Sequence, residues 1–381
     1  MESQGGKTKG WEGSAGAKER EKEYLYWLCK LALLGAVSIR KLYEYFRSFE
    51  AIYNMEERGL RKTGILNSRQ LAALGSWHSH FSQCRQEYRG LGERKVRFVT
   101  PLDEDYPQRL REIYDYPMGL WVKGRLPEDC IPSVAIVGAR GCSAYGGQLA
   151  REFARILAKG QVQVVSGLAM GIDGAAHEGA LEAQGLTFAV LGCGVDICYP
   201  ASHYGIFNAM EGSGGILSEF PLGRGPLPHH FPMRNRLISG LADAVLVVEA
   251  KAKSGSLITA EQGLEQGREV FAVPGRITDP LSIGCNRLIQ QGAHMATSPG
   301  DILEYLGVKC RKVLILNEKN VNGLAKKEKM VYSCLDFTPK HLDEIIRSCG
   351  LGPGECMGTL LELELGGYVF RSANHYFGKK L

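Results

Sequence analysis

The stretch SVAIVGARGCSAYGG, residues 133–147, decides the fold of this chain. It joins an apolar, β-branched run to a glycine-containing turn, and the turn leads into a helical segment. That order is typical of the first unit of a doubly wound α/β domain. Similar apolar runs recur downstream between helical segments, as expected for parallel strands buried on both faces. These runs are residues 134–137, 162–165, 188–191, 215–217, 244–248 and 270–273.

The flanking segments have other patterns and divide the chain into parts. Residues 1–23 are polar and rich in Gly, Lys and Glu, which predicts a disordered tail. Residues 24–95 repeat apolar side chains at helical spacing and predict a small helical domain. Residues 96–310 are predicted as a Rossmann-like domain with an extended, proline-punctuated lead-in. Residues 311–327 predict a linker, and residues 328–381, with three helical segments and a ribbon, predict a winged-helix-like domain. A small packing or dimerisation module is the alternative for this last part.

Composition limits the classes of protein that the chain can represent. The net charge of +5 is mild, so it permits a polyanionic partner without demanding one. The 11 cysteines include no Cys-x-x-Cys pair, which favours free thiols in a reducing compartment over disulfides or zinc. His229 and His230 are adjacent and cannot share a helix face, so no metal site is predicted there. No apolar run approaches membrane-spanning length, so we expect a cytoplasmic protein without a membrane partner.

Glycine or another small residue follows almost every predicted strand. In open α/β sheets, ligands bind beyond the carboxyl ends of the strands, where the strand order reverses. Glycines let backbone N–H groups approach an oxyanion, helix N-termini add positive dipole ends, and Arg140 and Lys253 add full charges. Several converging loops favour phosphate binding over simple turn geometry. Small residues in these loops include Gly138, Ser166, Gly167, Ser254, Gly255 and Ser256.

The usual nucleotide fingerprints are missing from these loops. Arg140 stands at the second glycine position of the dinucleotide motif, and Ser166 and Gly167 stand where an acidic residue would bind ribose. Lys253 and Ser254 lack the preceding glycines of a P-loop. The sequence therefore predicts no NAD, FAD or other cofactor, and no machinery for ATP hydrolysis.

A second polar cluster consists of Arg234, Asn235 and Arg236 at the start of a helical segment. Two arginines around an asparagine can clamp phosphates or tie loops together, and the sequence leaves both interpretations open. Carboxylates near the strand ends are interpreted as helix caps or as partners of the two arginines rather than as catalytic groups. They are Asp173, Asp196 and Glu219.

Taken together, the motifs resemble those of the bacterial DNA-processing proteins called DprA or Smf. The resemblance covers about residues 98–306, and the ordered set of motifs is highly specific. The matching segments are residues 138–140 with 143 and 145–146, 166–173, 192–196 with 199–200, 218–221, 231–236, 248–250, 254–260, 272–275 and 284–286. The helical region resembles the sterile-alpha-motif-like (SAM-like) domain of that family, and the C-terminal part resembles its winged-helix tail.

This resemblance implies a function and a set of contacts. Members of the family bind incoming single-stranded DNA during natural transformation of competent cells, protect it, and load the RecA recombinase without catalysing a reaction. They form homodimers through the Rossmann domain. The family's DNA-phosphate contacts fall on Arg140 and on the segment from Lys253 to Ser256, with Gly138, Ser166 and Gly167 lining the same pocket. The chain departs from the family at Ala139, where serine is common, and at His203, where asparagine often follows Tyr-Pro.

Two other classes of protein stay open at this point. One is a Rossmann-fold enzyme that processes nucleotides, like a nucleoside monophosphate N-glycosidase, in which Glu261 would polarise the glycosidic bond. The other is a scaffold whose terminal domains recruit partners.

Overall fold

The computed structural model describes residues 15–308, 323–372 and 375–380. Its N-terminal region is helical, and the buried aromatic residues of these helices pack against the edge of the central sheet. The ring of Tyr26 lies edge-on to Phe98 and Trp121, with centroid distances of 5.1 and 5.6 Å. The helices are α1 (Ala15–Lys30), α2 (Ala36–Phe46), α3 (Phe49–Asn54), α4 (Glu57–Lys62), α5 (Ser68–Trp77) and α6 (Phe81–Arg89).

Helix α1 begins at Ala15, so the predicted disorder is wrong for residues 15–23; residues 1–14 lie outside the described residues. Tertiary partners explain the difference. Glu21 is buried and accepts hydrogen bonds from the Phe49 amide at 2.5 Å and the Ser48 hydroxyl at 2.6 Å. Glu23 is also buried and pairs with two arginines of α6. Such partners stabilise a polar helical turn that composition alone indicates to be disordered.

The middle of the chain alternates strands and helices, as the sequence predicts. The strands are β1 (Arg97–Val99), β2 (Leu120–Gly124), β3 (Ser133–Val137), β4 (Gln163–Ser166), β5 (Thr187–Val190), β6 (Gly214–Ser218), β7 (Ala244–Val247), β8 (Glu269–Ala272) and β9 (His294–Met295). The helices are α7 (Gln108–Arg111), α8 (Ala144–Lys159), α9 (Ile172–Glu182), α10 (Tyr204–Met210), α11 (His230–Gly240), α12 (Gly255–Glu265), α13 (Ile283–Gln290) and α14 (Pro299–Tyr305).

These strands form one sheet in the order β1-β2-β6-β5-β4-β3-β7-β8-β9. Strands β3 to β9 are parallel, and β1 and β2 form an antiparallel edge beyond β6. Since β3 lies between β4 and β7, the strand order reverses there, and the carboxyl ends of β3 and β7 define the switch point. The predicted Rossmann-like sheet is confirmed. The expected extended lead-in forms the edge strands, which pair at Phe98 with Trp121 and at Val122 with Leu217.

Helices cover both faces of the parallel sheet and build two apolar cores. On one face, Leu237 of α11 and Ala260 of α12 pack over β3 and β7. On the other face, Phe153 of α8 and Ala176 of α9 pack over β3 and β4. The sheet is therefore buried on both sides, which is why its strands are apolar throughout.

The C-terminal part has its own core, which includes Val331, Leu360 and Phe377. Its three helices and short ribbon match the predicted winged-helix order, with an additional short strand, β10. The predicted linker lies mostly outside the described residues, and helix α15 begins at Lys326, within that predicted range. No helix in the described parts of the chain is long and apolar enough to cross a membrane. The elements are α15 (Lys326–Cys334), β10 (Lys340–His341), α16 (Leu342–Cys349), α17 (Pro353–Leu365), β11 (Val369–Ser372) and β12 (Tyr376–Lys379).

Candidate nucleic-acid interface

A cleft of about 600 Å³ opens at the switch point of the sheet. Its walls come from the loops that follow β3, β4 and β7 and from the start of α11. The lining includes four cationic side chains and one carboxylate, Asp173, so the cleft favours an anionic ligand. The cationic residues are Arg140, Arg234, Lys251 and Lys253.

Two helices begin near this cleft, and the N-terminus of one of them, α8, is closed by the protein itself. The buried carboxylate of Glu249 accepts hydrogen bonds from the Ser143 amide at 2.8 Å and from the Ser143 hydroxyl at 2.5 Å. The same hydroxyl accepts from the Gly146 amide at 2.9 Å. In dinucleotide-binding Rossmann domains, the pyrophosphate lies at this helix N-terminus. Here Glu249 takes that position, so a ligand phosphate cannot bind α8 in the same way.

Helix α12, in contrast, presents an open N-terminus to the cleft. Ser254 caps it, and the Ser254 and Ser256 hydroxyls lie 2.8 Å apart. Gly255 is exposed, nothing lies within 4 Å of its would-be Cβ, and the first turn carries no acidic residue. The first amides and the helix dipole therefore face the space beside the exposed Lys253. Lys251 is a further exposed cation that lines the cleft, and the motifs do not single it out. The only feature of the sequence that indicates this role is its position two residues before Lys253.

Arg140 and two aromatic rings form another part of the cleft wall. The Arg140 guanidinium is exposed and lies 4.9 Å from the centroid of the Phe231 ring. Phe231 is in turn 5.7 Å from the ring of Tyr199, which is 44% exposed. Across residues 15–308, 323–372 and 375–380, no carboxylate forms an ion pair with Arg140. Neither aromatic residue is among the predicted site residues, although both belong to segments that match the family motifs. Two rings beside a cation offer a surface on which bases can stack.

Gly138 and Ser166 serve the framework of the cleft. Gly138 lines it, but a Cβ at this position would lie 2.6 Å from Ile172 and 3.0 Å from the Glu249 carbonyl oxygen. The residue is therefore glycine because two segments approach closely. The buried Ser166 hydroxyl donates to the Ile136 carbonyl at 2.6 Å and does not line the cleft.

Arg234 and Asp173 form the floor, and Gly167, which does not line the cleft, bonds to both. The Gly167 amide donates to Asp173 at 3.2 Å, and its carbonyl accepts from Arg234 at 2.8 Å. Arg234 also donates to the Val190 carbonyl and is buried. Burial lowers the pKa of Arg234 to about 10, against the opposing charge of Asp173. Burial likewise raises the pKa of Asp173, opposed by Arg234 and by backbone hydrogen bonds.

The other two residues of the second polar cluster, Asn235 and Arg236, contact different parts of the protein. The side-chain amide of Asn235 donates to the Gly255 carbonyl at 3.2 Å and connects α11 to the start of α12. Arg236 turns away from the cleft and forms ion pairs with Asp115 at 2.7 Å and Glu219 at 2.8 Å. The structure therefore brings Arg234 and Asn235 to the cleft and excludes Arg236.

His203, Ala139 and Glu261 lie near the cleft but serve other contacts or face solvent. The ring of His203 lies 3.1 Å from the Leu168 carbonyl and helps to hold Leu168 at a positive φ of 56°. Ala139 is buried, and its amide donates to the Glu249 carbonyl at 2.7 Å. Glu261 is exposed on α12 and does not line the cleft, so the nucleotide-processing alternative loses the residue assigned to it.

Fold and cleft together define a Rossmann-fold protein with a cleft lined by cationic side chains at its switch point and a separate C-terminal winged-helix domain. The sequence model of the family DNA recombination-mediator protein A matches residues 97–307, and that of the DprA winged helix domain matches residues 318–375. The chain belongs to this DprA/Smf family, as its motifs predict.

Curated relatives carry the names DprA and Smf. The chain is 48% identical over 197 residues to DNA processing protein DprA of Streptococcus pneumoniae, covering 52% of this chain and 70% of that protein. It is 32% identical over 386 residues to Protein Smf of Synechocystis, covering 91% and 96%. The second match extends the similarity over nearly the whole length of both proteins.

Two solved structures are similar in fold. The crystal structure of DprA from Streptococcus pneumoniae has a TM-score of 0.66 and 38% identity, covering 74% of this chain and 97% of that one. DNA processing protein A from Helicobacter pylori has a TM-score of 0.50 and 29% identity, covering 56% and 95%. The latter structure is described as giving insight into a single-stranded DNA binding mode.

Proposed function

We propose that this protein binds single-stranded DNA by its phosphates in the switch-point cleft. The observation that carries the proposal is the open N-terminus of α12, flanked by Lys251 and Lys253 and faced by Arg140. Backbone amides, a helix dipole and full positive charges all favour phosphate oxygens. None of these groups distinguishes one base from another, so binding is independent of DNA sequence.

The aromatic wall supports a preference for single strands. Tyr199 and Phe231 stand beside Arg140 and offer faces on which unpaired bases can stack. In a duplex the faces of the bases are stacked on one another. The cleft therefore suits a strand whose bases are free, with phosphates directed to α12 and bases directed to the two rings.

We further propose that binding involves no covalent step. The buried carboxylates beside the cleft are engaged, Asp173 by the Gly167 amide and Glu249 by Ser143. A general base needs a carboxylate or imidazole that can reach the substrate in its proton-accepting state. Carboxylates engaged in this way hold the loops that shape the cleft.

Family membership and the relative described as a single-stranded DNA binder support a cellular role. In this proposal the protein, as a homodimer, protects incoming DNA during natural transformation and loads the RecA recombinase on it. The test is filament formation by RecA on strands that are already coated by a single-strand binding protein. We expect a shorter lag when the protein is added; an unchanged lag would leave a DNA binder that does not load RecA.

The binding proposal is tested by fluorescence anisotropy with an oligo-dT strand and a duplex of equal length over a series of salt concentrations. We expect tighter binding of the single strand and an affinity that falls with salt. The double variant Arg140→Ala/Lys253→Ala should lose most of that affinity. Lys41→Ala, an exposed lysine of α2 outside the cleft, is the matched control. Equal affinity of wild type and double variant would contradict the proposal.

A further inference from the structure

A second cavity, of about 690 Å³, lies between the N-terminal helices and the Rossmann-like domain. The end of α1, the start of α2 and the start of α11 all contribute to its walls. Pro232 lines both this cavity and the switch-point cleft, so the two spaces are separated only by the first turn of α11. A strand held in the cleft therefore passes close to the second cavity.

The walls of the cavity suit a flat ligand without charge. Many of the lining side chains are apolar, including Leu31, Leu34, Ile39, Met118 and Met233. Lys30 lines the cavity and pairs with Glu87. Arg236, which also lines it, is neutralised by Asp115 and Glu219. Because both carboxylates face the same guanidinium, an additional phosphate would meet net negative charge there. The cavity thus differs from the switch-point cleft in the chemistry that it favours.

Two lining residues carry buried polar atoms that have no hydrogen-bond partner among the described residues. They are Nη1 of Arg236, a donor, and Oε1 of Gln262, an acceptor. Buried polar groups in native proteins are nearly always paired, so an unpaired donor and acceptor on two lining residues favour a small side-chain shift that exposes both atoms to a ligand with the complementary groups. Every nucleobase presents an acceptor beside a donor on one edge and apolar faces above and below.

We propose that the second cavity takes one nucleobase of the strand whose phosphates lie in the switch-point cleft. The inference rests on the proposed function. The base leaves the stack, passes Pro232 and inserts between the apolar walls, with its polar edge towards Arg236 and Gln262. Arg224, exposed at the cavity, faces the sugar-phosphate backbone outside. Since all four bases fit this donor and acceptor pair, the site adds affinity without selecting a sequence.

The test compares an oligo-dT strand with a strand of the same length made only of abasic deoxyribose phosphates. Ala32 is exposed and lines the cavity, whereas its neighbour Leu33 is exposed and does not. Ala32→Trp fills the cavity and Leu33→Trp is the matched control. We expect Ala32→Trp to weaken binding of oligo-dT roughly tenfold, the size of one lost base contact, while abasic binding is unchanged. The control should behave as the wild type.

A second variant addresses the unpaired acceptor directly. Gln262→Leu removes Oε1, which has no partner among the described residues, so we expect an unchanged or higher melting temperature together with weaker binding of oligo-dT. A strand carrying 4-thiothymidine should also crosslink to residues 29–39, and Ala32→Trp should abolish that crosslink.

Two results would overturn the inference, and they are distinguishable. If wild type binds both strands and Ala32→Trp matches Leu33→Trp on each, the cavity holds no base, although the phosphate cleft stands. If wild type binds neither strand, the proposed function itself fails, and the inference fails with it.

Discussion

Arg234, Asn235 and Arg236 are consecutive residues of α11 with three different tasks. Each residue of a helix is rotated by about 100° from the one before, so Arg234 and Arg236 point in nearly opposite directions. Arg234 bonds to the carbonyls of the cleft floor, and Asn235 bonds to the start of α12. Arg236 pairs with carboxylates in the second cavity. Sequence spacing indicates this divergence once the helix is recognised, but it does not say which side faces the ligand.

In the proposed function, Arg140 and Lys253 are the residues on which phosphate binding depends most directly. We expect Arg140→Ala to weaken single-strand binding by about 1–3 kcal/mol, the range for a charged hydrogen bond. It should also reduce the slope of log affinity against log salt by about 0.7, the value for one phosphate contact on a single strand. Lys253→Ala should act in the same direction but less, because lysine lacks the planar fork of arginine. Anisotropy titrations over a salt series measure both quantities.

A purely structural role of Arg140 would give a different pair of measurements. Its side chain is exposed and packs on Phe231, so the melting temperature of Arg140→Ala should stay near that of the wild type. A lower melting temperature with an unchanged salt slope would instead make Arg140 an anchor of its loop. Lys41→Ala controls for a general loss of charge.

Gly167 is expected to act as a spacer for Arg234. A Cβ at Gly167 would lie 2.6–2.7 Å from the Arg234 guanidinium and would push it off the carbonyls of the floor. We expect Gly167→Ala to lower the free energy of unfolding by about 1–3 kcal/mol, as overpacking does. Gly141→Ala, whose Cβ meets nothing within 4 Å, is the control in the same cleft. Loss of DNA binding by Gly167→Ala at full stability, seen in denaturant melts, would instead assign Gly167 to the ligand.

Among the elements, α8 and α12 show how a helix N-terminus is closed or left open. Both follow strands at the switch point, and both have serine at the N-cap. The difference is Glu249, which follows β7 and reaches across to cap α8. A carboxylate at a helix N-terminus interacts favourably with the helix dipole and repels an anionic ligand. We therefore place the proposed anion site at α12.

Helix α9 carries a buried histidine that should make stability depend on pH. His177 lies 2.7 Å from the Thr187 hydroxyl. Burial, helped by His203 and Arg234, lowers the pKa of His177 to about 3, from an ordinary value of 6.5. Unfolding then binds a proton at any pH between these values. The stability that the neutral ring contributes is complete above pH 6.5. It is lost at up to about 1.4 kcal/mol per pH unit as the pH falls.

The variant His177→Gln isolates this contribution. Glutamine can still donate a hydrogen bond to Thr187 but does not titrate. Between roughly pH 6 and pH 4, which lies within the interval between the two pKa values, the unfolding free energy of the variant should therefore fall less steeply than that of the wild type. His80→Gln, an exposed histidine, should follow the wild-type curve. Parallel curves for wild type and His177→Gln would show that His177 has the same pKa in the folded and unfolded states. Denaturant melts at each pH supply the measurement.

At the scale of the whole molecule, the N-terminal helices and the sheet share one core, whereas the C-terminal domain has its own. Trp121 of β2 is fully buried and contacts Tyr26 of α1 and Phe98 of β1. The core of the C-terminal domain is built from its own residues, including Val331 and Phe377. The two terminal regions should therefore respond differently to deletion.

Deletion of residues 1–95 should expose Trp121 and lower the melting temperature of the remainder, because buried apolar area returns to water. Deletion of residues 323–381 should leave the melting temperature of the Rossmann-like domain nearly unchanged. Thermal melts followed by circular dichroism compare the two deletions with the full chain. Equal losses from both would contradict the separate cores.

Much of the fold could be predicted because it depends on local pattern. Apolar runs of strand length separated by helical periods identify β3 to β8, and glycine-rich loops after strands identify the edge at which ligands bind. The ordered motifs identified the family. The predicted tail failed at residues 15–23 because Glu21 and Glu23 are stabilised by partners that are distant in sequence.

By itself, then, the sequence determined the fold class, the family and the rim of the sheet that carries Arg140 and Lys253, since each follows from neighbouring residues and their period. Tertiary structure decided that Ser166 and Arg236 turn away from the cleft, that Glu249 closes α8 while α12 stays open, and that Tyr199 and Phe231 line the wall. It also created the second cavity, whose walls come from α1, α2 and α11. The physical reason is that a side chain's partner is set by whichever segments packing brings together, and those segments are far apart in the chain.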